Sequence, residues 1–382
     1  MKSVIIGKNQ AGQRLDKFLH KYLPLAGDGF LYKMLRKKNI TLNGKKAEGR
    51  EMLALNDRVT LFFSDETYAK FSGRVDDIDS ERRDSAGRKE GGETRDREVK
   101  RHSSALEEYE KAYKSLHGIS ILYEDADCLI LNKPAGLLTQ KASAGDISLN
   151  EWLIGYLLSK NKESEQELAF FRPSVCNRLD RNTSGIVLCG KSLAGLQYLS
   201  SCIKERRIRK FYRTICTGSL EKAAIVRGYL EKDSRRNKVT ISAEAPAGGS
   251  GEKAALIHTA FSPLEITDSY TLLEVELITG KSHQIRAHLA GIGHPLIGDY
   301  KYGQESVNRI LKERYGLGHH LLHACRVTFP KADQGPGIRL SGISVSAPCP
   351  ELFRRMEEDL LHHKLSKSKT VRRYKNEPGE GK

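Results

Sequence analysis

Cysteine is sparse and scattered. Cys128, Cys176, Cys189, Cys202, Cys216, Cys325 and Cys349 are odd in number and include no Cys-x-x-Cys pair. That argues against a disulfide framework and a zinc knuckle, and it fits a reducing cytoplasm. No apolar run approaches the roughly 20 residues that a membrane-spanning helix needs. Met1 to Gly7 lacks the long apolar core of a signal peptide. His319, His320 and His323 lack the Glu of a His-Glu-x-x-His zinc helix. Gly280-Lys281-Ser282 echoes a phosphate loop, but the glycine that this motif requires at 275 is Val275. The expectation is a chain without metal, cofactor or membrane. Acid is also in deficit: 48 Asp and Glu face 64 Lys and Arg, a net charge of +16. Such a balance favours a polyanionic partner, nucleic acid first.

At 382 residues the chain exceeds one ordinary core, so two domains and a linker are expected. Residues 1–66 form the first. Leu15, Phe18, Leu19 and Tyr22 recur at helical spacing, and Phe30 to Lys38 reads as a second helix with a basic last turn. Ile40 to Leu42 leads into Asn43-Gly44, a strong hairpin signal, and Val59 to Phe63 is a closing strand. Residues 1 to 63 hold thirteen Lys or Arg against five Asp or Glu, half of the whole-chain excess. Residues 67–115 read as a charged flexible linker, because Arg74 to Arg101 is nearly free of apolar side chains and cannot offset its ordering entropy. Residues 361–382 read as a basic tail that adds non-specific affinity for RNA.

The second domain, 116–360, alternates many strands with few helices and has hairpin-length links. That pattern indicates an α+β fold on a largely antiparallel mixed sheet. Leu149 to Leu158 and Leu193 to Ile203 are helices, the latter facing inward with Leu193, Leu196, Leu199 and Ile203, and a helix from Ser282 to Leu289 is capped by Ser282. In its middle, Cys176-Asn177-Arg178-Leu179-Asp180-Arg181-Asn182-Thr183-Ser184-Gly185 sits between two strand-like pieces. Rigid strands commonly hold catalytic loops, and Arg178 and Arg181 favour the ionised carboxylate of Asp180. Read locally, an Asp that simply caps a turn is the commoner case.

Arg178-Leu179-Asp180 followed by Thr183-Ser184-Gly185 resembles the signature of the RluA-type pseudouridine synthases. Further blocks follow in that family's order: Arg209 to Tyr212, Leu277 to His288, Gly293 to Gly303, then His320 to Ala324 with Phe329-Pro330. Asn132-Lys133-Pro134-Ala135-Gly136 is similar to the same family. The chain departs from the usual form at Asn177, where His is expected, and at Lys281, where Arg is expected. Residues 1–66 are similar to the small RNA-binding domain named after ribosomal protein S4.

The resemblance implies a fold of three parts: a small α/β S4-like domain, a linker and a pseudouridine synthase domain. It implies Asp180 as the catalytic nucleophile, Arg286 as its cationic partner, and Tyr212 as an aromatic face and proton-transfer group. Lys33, Arg36, Lys37, Lys38, Lys45, Lys46, Arg178 and Arg181 are candidate RNA contacts, and His283 and Gln284 either brace the loop or touch phosphate. Asp16 repeats the Arg-Leu-Asp tripeptide without Thr-Ser-Gly after it, and is read as structural. The implied activity is conversion of uridine to pseudouridine in structured RNA, large-subunit ribosomal RNA first and transfer RNA second, by a monomer. A non-catalytic RNA-binding or ribosome-assembly protein is the rival from another class.

Overall fold

The computed structural model describes residues 1–72, 105–160, 165–233, 238–242 and 254–362. The basic tail from 363 on and most of the expected linker lie outside them. Among the described residues no helix is long and apolar enough to cross a membrane.

The N-terminal unit contains β1 (Lys2–Ile5), α1 (Leu15–Tyr22), α2 (Asp28–Arg36), β2 (Ile40–Leu42), β3 (Lys45–Lys46), β4 (Arg58–Leu61) and α3 (Asp65–Ser72). Its sheet runs β1-β4-β2-β3, all antiparallel. Asn43 and Gly44 both take positive φ, at 50° and 74°, the conformation that a two-residue hairpin of matching twist requires. Leu15, Phe18 and Leu19 of α1 are fully buried with Leu31 and Leu35 of α2. Asp16 accepts from Arg14, Tyr32 Oη and the Lys17 amide, so it is a structural brace.

Both ends of the stretch expected as linker, 67–115, are helical among the described residues. Tyr68 and Phe71 of α3 pack into the N-terminal core, because they lie one turn apart on one face. A helix over 105–115, here α4, sets Tyr109 and Ala112 against the second domain.

The second domain continues with β5 (Ser120–Glu124), β6 (Cys128–Lys133), α5 (Leu149–Ser159), α6 (Glu165–Phe170), β7 (Ser174–Val175), β8 (Ser184–Gly190), α7 (Leu193–Lys204), β9 (Arg209–Thr217), β10 (Ala224–Asp233), β11 (Lys238–Ser242), β12 (Ala255–Ile266) and β13 (Tyr270–Leu277). It closes with α8 (Gln284–Gly291), α9 (Glu305–Tyr315), β14 (Leu322–Thr328), β15 (Ser344–Ser346) and α10 (Glu351–Glu357). One 11-stranded sheet runs β11-β10-β12-β13-β9-β14-β8-β6-β5, with β15 on β14 and β7 on β8. Its described pairings are antiparallel except β8 with β14, so the sheet is mixed and mostly antiparallel.

That parallel pairing matters for the site. β8 begins at the end of the Asp180 loop and is buried along its whole length. Gly185 takes φ +111°, and a Cβ there would lie 2.3 Å from the Ala324 carbonyl oxygen, so only glycine permits β14 to approach this closely. Ala324 is also paired with Tyr212 of β9, and Tyr212 with Val275 of β13.

Two local expectations are corrected. On α7 the deepest positions are Gly195, Leu199 and Cys202, while Leu193, Leu196 and Ile203 are half-buried. Gly195 lacks a side chain, so the helix comes down on the Asp127 carbonyl at that point. The cap of α8 is His283 in the left-handed conformation rather than Ser282. The loop is closed by Gln284 Oε1, which accepts from the Lys281 amide at 3.1 Å and from Thr279 Oγ1 at 3.0 Å.

The N-terminal unit rests on the second domain. Phe170 at the end of α6 is buried in the N-terminal core, with ring centroids 5.8 Å from Phe18 and 6.0 Å from Tyr22. Its carbonyl accepts from Lys21 Nζ at 2.8 Å. Gln197 on α7 donates to the Gly12 carbonyl at 3.3 Å, and Lys8 pairs with Asp127 at 3.0 Å.

Candidate active site

Asp180 sits in a loop pinned at both ends. At its start, Asn177 takes the role of a backbone peptide: Oδ1 accepts from the Leu188 amide at 2.7 Å and Nδ2 donates to the Ile186 carbonyl at 3.3 Å, both on β8. A short amide side chain reproduces a ladder step, which explains how the loop holds with Asn at this position. At its end, Thr183 Oγ1 meets His320 Nε2 at 2.8 Å and Ser184 Oγ meets His323 Nδ1 at 2.9 Å. His323 Nε2 donates to the Ala347 carbonyl at 3.3 Å, so its Nδ1 is the acceptor of the Ser184 hydroxyl. Burial pushes the His323 imidazole down to about 4, so it is neutral at pH 7.

Beneath the loop lies Lys133, fully buried at the end of β6. Its Nζ donates to the carbonyls of Pro134, Leu137 and Arg181 at 2.9, 2.8 and 3.0 Å. Burial pushes this ammonium down to about 7, with the charge of Asp180 acting the other way. The Arg181 carbonyl belongs to the residue just after Asp180, so Lys133 fixes the loop from behind.

The cation that meets Asp180 is Arg286, whose Nη1 lies 3.1 Å from Asp180 Oδ2. Arg178 and Arg181, expected to serve Asp180, are exposed side chains on the cleft wall instead. Arg286 is buried on α8, and its Nε and Nη2 bind Asp299 Oδ2 and Oδ1 at 2.7 and 2.9 Å. Asp299 also accepts from the Lys301 and Tyr302 amides. Burial pushes the Asp299 carboxyl up, but Arg286 first, then the Lys301 amide, hold it below its ordinary value on balance. A buried cation between two carboxylates is satisfied only by this fork geometry. Sequence reading passed over Asp299; its place in the Gly298-Asp299-Tyr300 run is visible, but its burial is not.

Tyr212 is 6% exposed and lines the same cleft. Burial first, and then the Asp180 charge, raise its phenol, so it stays protonated at neutral pH. His283 is close too: Nε2 lies 3.9 Å from Asp180 Oδ2, and Nδ1 lies 2.9 Å from Tyr302 Oη. Gln284 is buried, and it binds Thr279, Thr259 and the His258 carbonyl, so of its two expected roles it braces the loop.

The cleft is open, about 950 Å³, and lined by Asp180, Tyr212 and Arg286. Six further cations border it: Arg178, Arg181, Lys204, Arg206, Lys210 and Lys281. Asp180 is the acidic side chain on that wall. Lys33, Arg36, Lys37, Lys38, Lys45 and Lys46 are all exposed on the N-terminal unit, on α2 and the turns and short strands that follow it. Among the described residues one group could hold a metal by spacing, Glu265, Glu357 and His362; it is absent from the residues lining the cleft.

Residues 127–291 match the family model described as RNA pseudouridylate synthase. The chain is 26% identical over 360 residues to a protein of Vibrio vulnificus named ribosomal large subunit pseudouridine synthase C, covering 94% of this chain and 96% of that protein. It is 26% identical over 367 residues to the protein of that name from Escherichia coli K12, covering 94% and 97%. Among solved structures, human RNA pseudouridylate synthase domain containing 4 aligns with a TM-score of 0.52 at 21% identity, over 68% of this chain and 97% of that one, which shows a shared fold.

Proposed function

The chain belongs to the RNA pseudouridylate synthase family, and from that premise we propose that it converts particular uridines of large-subunit ribosomal RNA to pseudouridine, with Asp180 as nucleophile. The observation that carries the reading is the meeting of Asp180, Arg286 and Tyr212, from three distant parts of the chain, in one cation-lined cleft. The ribosomal substrate is supported by relatives named for it that align along nearly their whole length.

The reaction breaks the C1′–N1 bond and makes a C1′–C5 bond, and the base must leave the RNA stack to reach the cleft. A carboxylate is suited to it, either by direct attack or by facing a cationic centre. Arg286 donates to the Asp180 carboxylate and so aims it. Tyr212 offers a ring for the flipped uracil and a protonated phenol as a hydrogen-bond donor. The cations of the rim hold phosphates, which positions the RNA without reading its sequence. We read the N-terminal unit as an S4-like domain that adds RNA affinity through Lys33, Arg36, Lys37, Lys38, Lys45 and Lys46, and the whole as a cytoplasmic monomer. Four antiparallel strands, two packed helices and an exposed basic turn support that reading.

The test is pseudouridine mapping of ribosomal and transfer RNA from cells with the wild-type chain and with Asp180→Ala. Loss of specific sites in large-subunit RNA supports the proposal; loss in transfer RNA keeps the chemistry and moves the substrate. No change, with both proteins folded and expressed, favours a non-catalytic RNA-binding protein.

A further inference from the structure

We infer that Tyr32 on α2 is a binding site for an unpaired RNA base, which stacks on its exposed ring; this rests on the reading of the N-terminal unit as an RNA-binding domain. Phosphate contacts from the lysines and arginines of that unit hold RNA of any conformation. A fixed aromatic face adds a preference for single-stranded RNA, because a base within a duplex keeps its faces in the stack.

Tyr32 is 42% exposed, yet its ring is tethered. The hydroxyl donates to Asp16 Oδ2 at 3.1 Å. That bond raises the phenol above its ordinary value, so the hydroxyl stays protonated and remains a donor. Asp16 is itself held, accepting from Arg14 Nε and Nη2 at 3.2 and 2.5 Å and from the Lys17 amide at 2.7 Å. The Arg14-Leu15-Asp16 tripeptide therefore has a use of its own here: Leu15 is fully buried and fixes α1, and Asp16 anchors the ring. One edge of the ring lies beside Gly49. A Cβ there would stand 3.2 Å from Tyr32 Cε1 and 3.4 Å from Asp16 Cβ, and Gly49 takes φ +93°, so glycine lets the loop come down next to the ring. One turn before Tyr32, Gly29 has open space where a Cβ would stand, so no side chain at that position covers the ring. A free surface tyrosine loses rotamer freedom when a ligand stacks on it; a tethered one has lost it already.

The surroundings select the ligand. Lys33 follows Tyr32 directly and Arg36 stands one turn along α2, both exposed. Arg14 brings a guanidinium to the hydroxyl end of the ring, and exposed Arg50 follows Gly49. Met52 pairs with Arg14 across an isolated antiparallel bridge, so its exposed side chain projects on the same side. Nearby acid is engaged elsewhere: Glu51 accepts from the Glu48 and Gly49 amides, and Asp28 pairs with His20 at 2.7 Å. An aromatic face, a thioether and several cations from three segments fit a single strand, with a base on the ring and the adjoining phosphates on the cations.

The test uses the full chain and a fluorescent oligouridylate dodecamer, with Kd read by anisotropy across a salt series. Binding needs no turnover, so failure of the catalytic reading, seen in pseudouridine mapping, is a separate result. Tyr32→Ala should raise Kd by about 5- to 150-fold, the loss of one stacked base. The slope of log Kd against log salt should stay unchanged, because no phosphate contact is lost, whereas Arg36→Ala should reduce that slope by about 0.7. Tyr32→Phe keeps the ring and should stay within about threefold of the wild type. Tyr32→Leu, apolar but without a π face, should bind as weakly as Tyr32→Ala. Should these variants fail to fold, the wild type alone decides: oligouridylate carrying 5-iodouridine should crosslink at Tyr32 under ultraviolet light. No binding of the dodecamer, an unchanged Kd in Tyr32→Ala, a weaker Kd with a reduced salt slope, or crosslinks confined to other residues would overturn the inference.

Discussion

Arg286 is bound more fully to Asp299 than to Asp180: two of its nitrogens grip Asp299 at 2.7 and 2.9 Å, and one reaches Asp180 at 3.1 Å. The buried carboxylate thus sets where the guanidinium stands, and Asp180 receives what remains. Asp299→Ala should leave a buried cation without its main partner. A loss of about 3–5 kcal/mol in stability is expected, read by urea unfolding. Activity of the fraction that stays folded should fall by about 100-fold in kcat, because a shift near 1 Å at Arg286 misplaces the reacting carboxylate. Asp299→Asn should retain more stability but little activity, since an amide nitrogen would face an Arg donor. Equal kcat for Asp299→Asn and wild type would disprove the relationship.

Asn177 offers a second test. Its side chain makes two hydrogen bonds to the backbone of β8, at 2.7 and 3.3 Å. Asn177→Ala leaves a half-buried amide and carbonyl unpaired, at a cost of about 1–3 kcal/mol. The loop that carries Asp180 should loosen with it. We expect a lowered denaturation midpoint with unchanged m-value, and a kcat loss greater than the KM change. Asn177→His keeps one ring nitrogen for the Leu188 amide and should fall between the two.

How much of this was legible depended on whether the cause was local. Asp180, Tyr212 and Arg286 stand in short motifs, so the sequence exposes them even though the chain must fold to bring them together. The Asn43-Gly44 turn was legible for the same reason: two residues carry the positive φ. Asp299 was not, because its role comes from burial and from a partner 13 residues away. Lys133 reads as part of a motif, yet the three carbonyls it gathers come from two separate segments. The cap of α8 was misplaced because Ser282 has the better propensity, while the loop geometry puts a left-handed His283 there. The docking of Phe170 was hidden altogether, since it joins residues 149 positions apart.

Stability should depend on pH through the histidines behind the loop. Burial holds His323 at about 4, against an ordinary value near 6.5. Its folded value is depressed, so the unfolded chain binds the proton first as pH falls. The contribution is fully present above about pH 6.5 and is lost between there and about pH 4, at up to about 1.4 kcal/mol per pH unit. His288, also lowered to about 4 by burial, adds to the same window. Urea unfolding at pH 7 and pH 5 should show this loss. In His323→Gln the loss should shrink, at the cost of a lower stability at pH 7; an unchanged slope would show that this residue is not its source.

The contact between the two domains can be broken at one side chain. Phe170 is stacked against Phe18 and Tyr22, and its carbonyl holds Lys21. Among the described residues the polar contacts between the units, Lys21 with the Phe170 carbonyl, Gln197 with Gly12 and Lys8 with Asp127, are exposed or half-buried and contribute little in water. Phe170→Ala removes the main apolar attachment, worth about 3–5 kcal/mol by analogy with large-to-small core changes. That exceeds what the polar contacts can hold, so the N-terminal unit should swing free. Small-angle scattering should show a larger radius of gyration than for wild type, while each domain keeps its own unfolding transition. A docked unit presents its basic face to RNA at one distance from the cleft. The variant should therefore keep kcat on a short stem-loop and lose discrimination among sites in long RNA. An unchanged scattering profile would mean that the polar contacts suffice and that Phe170 only fills space.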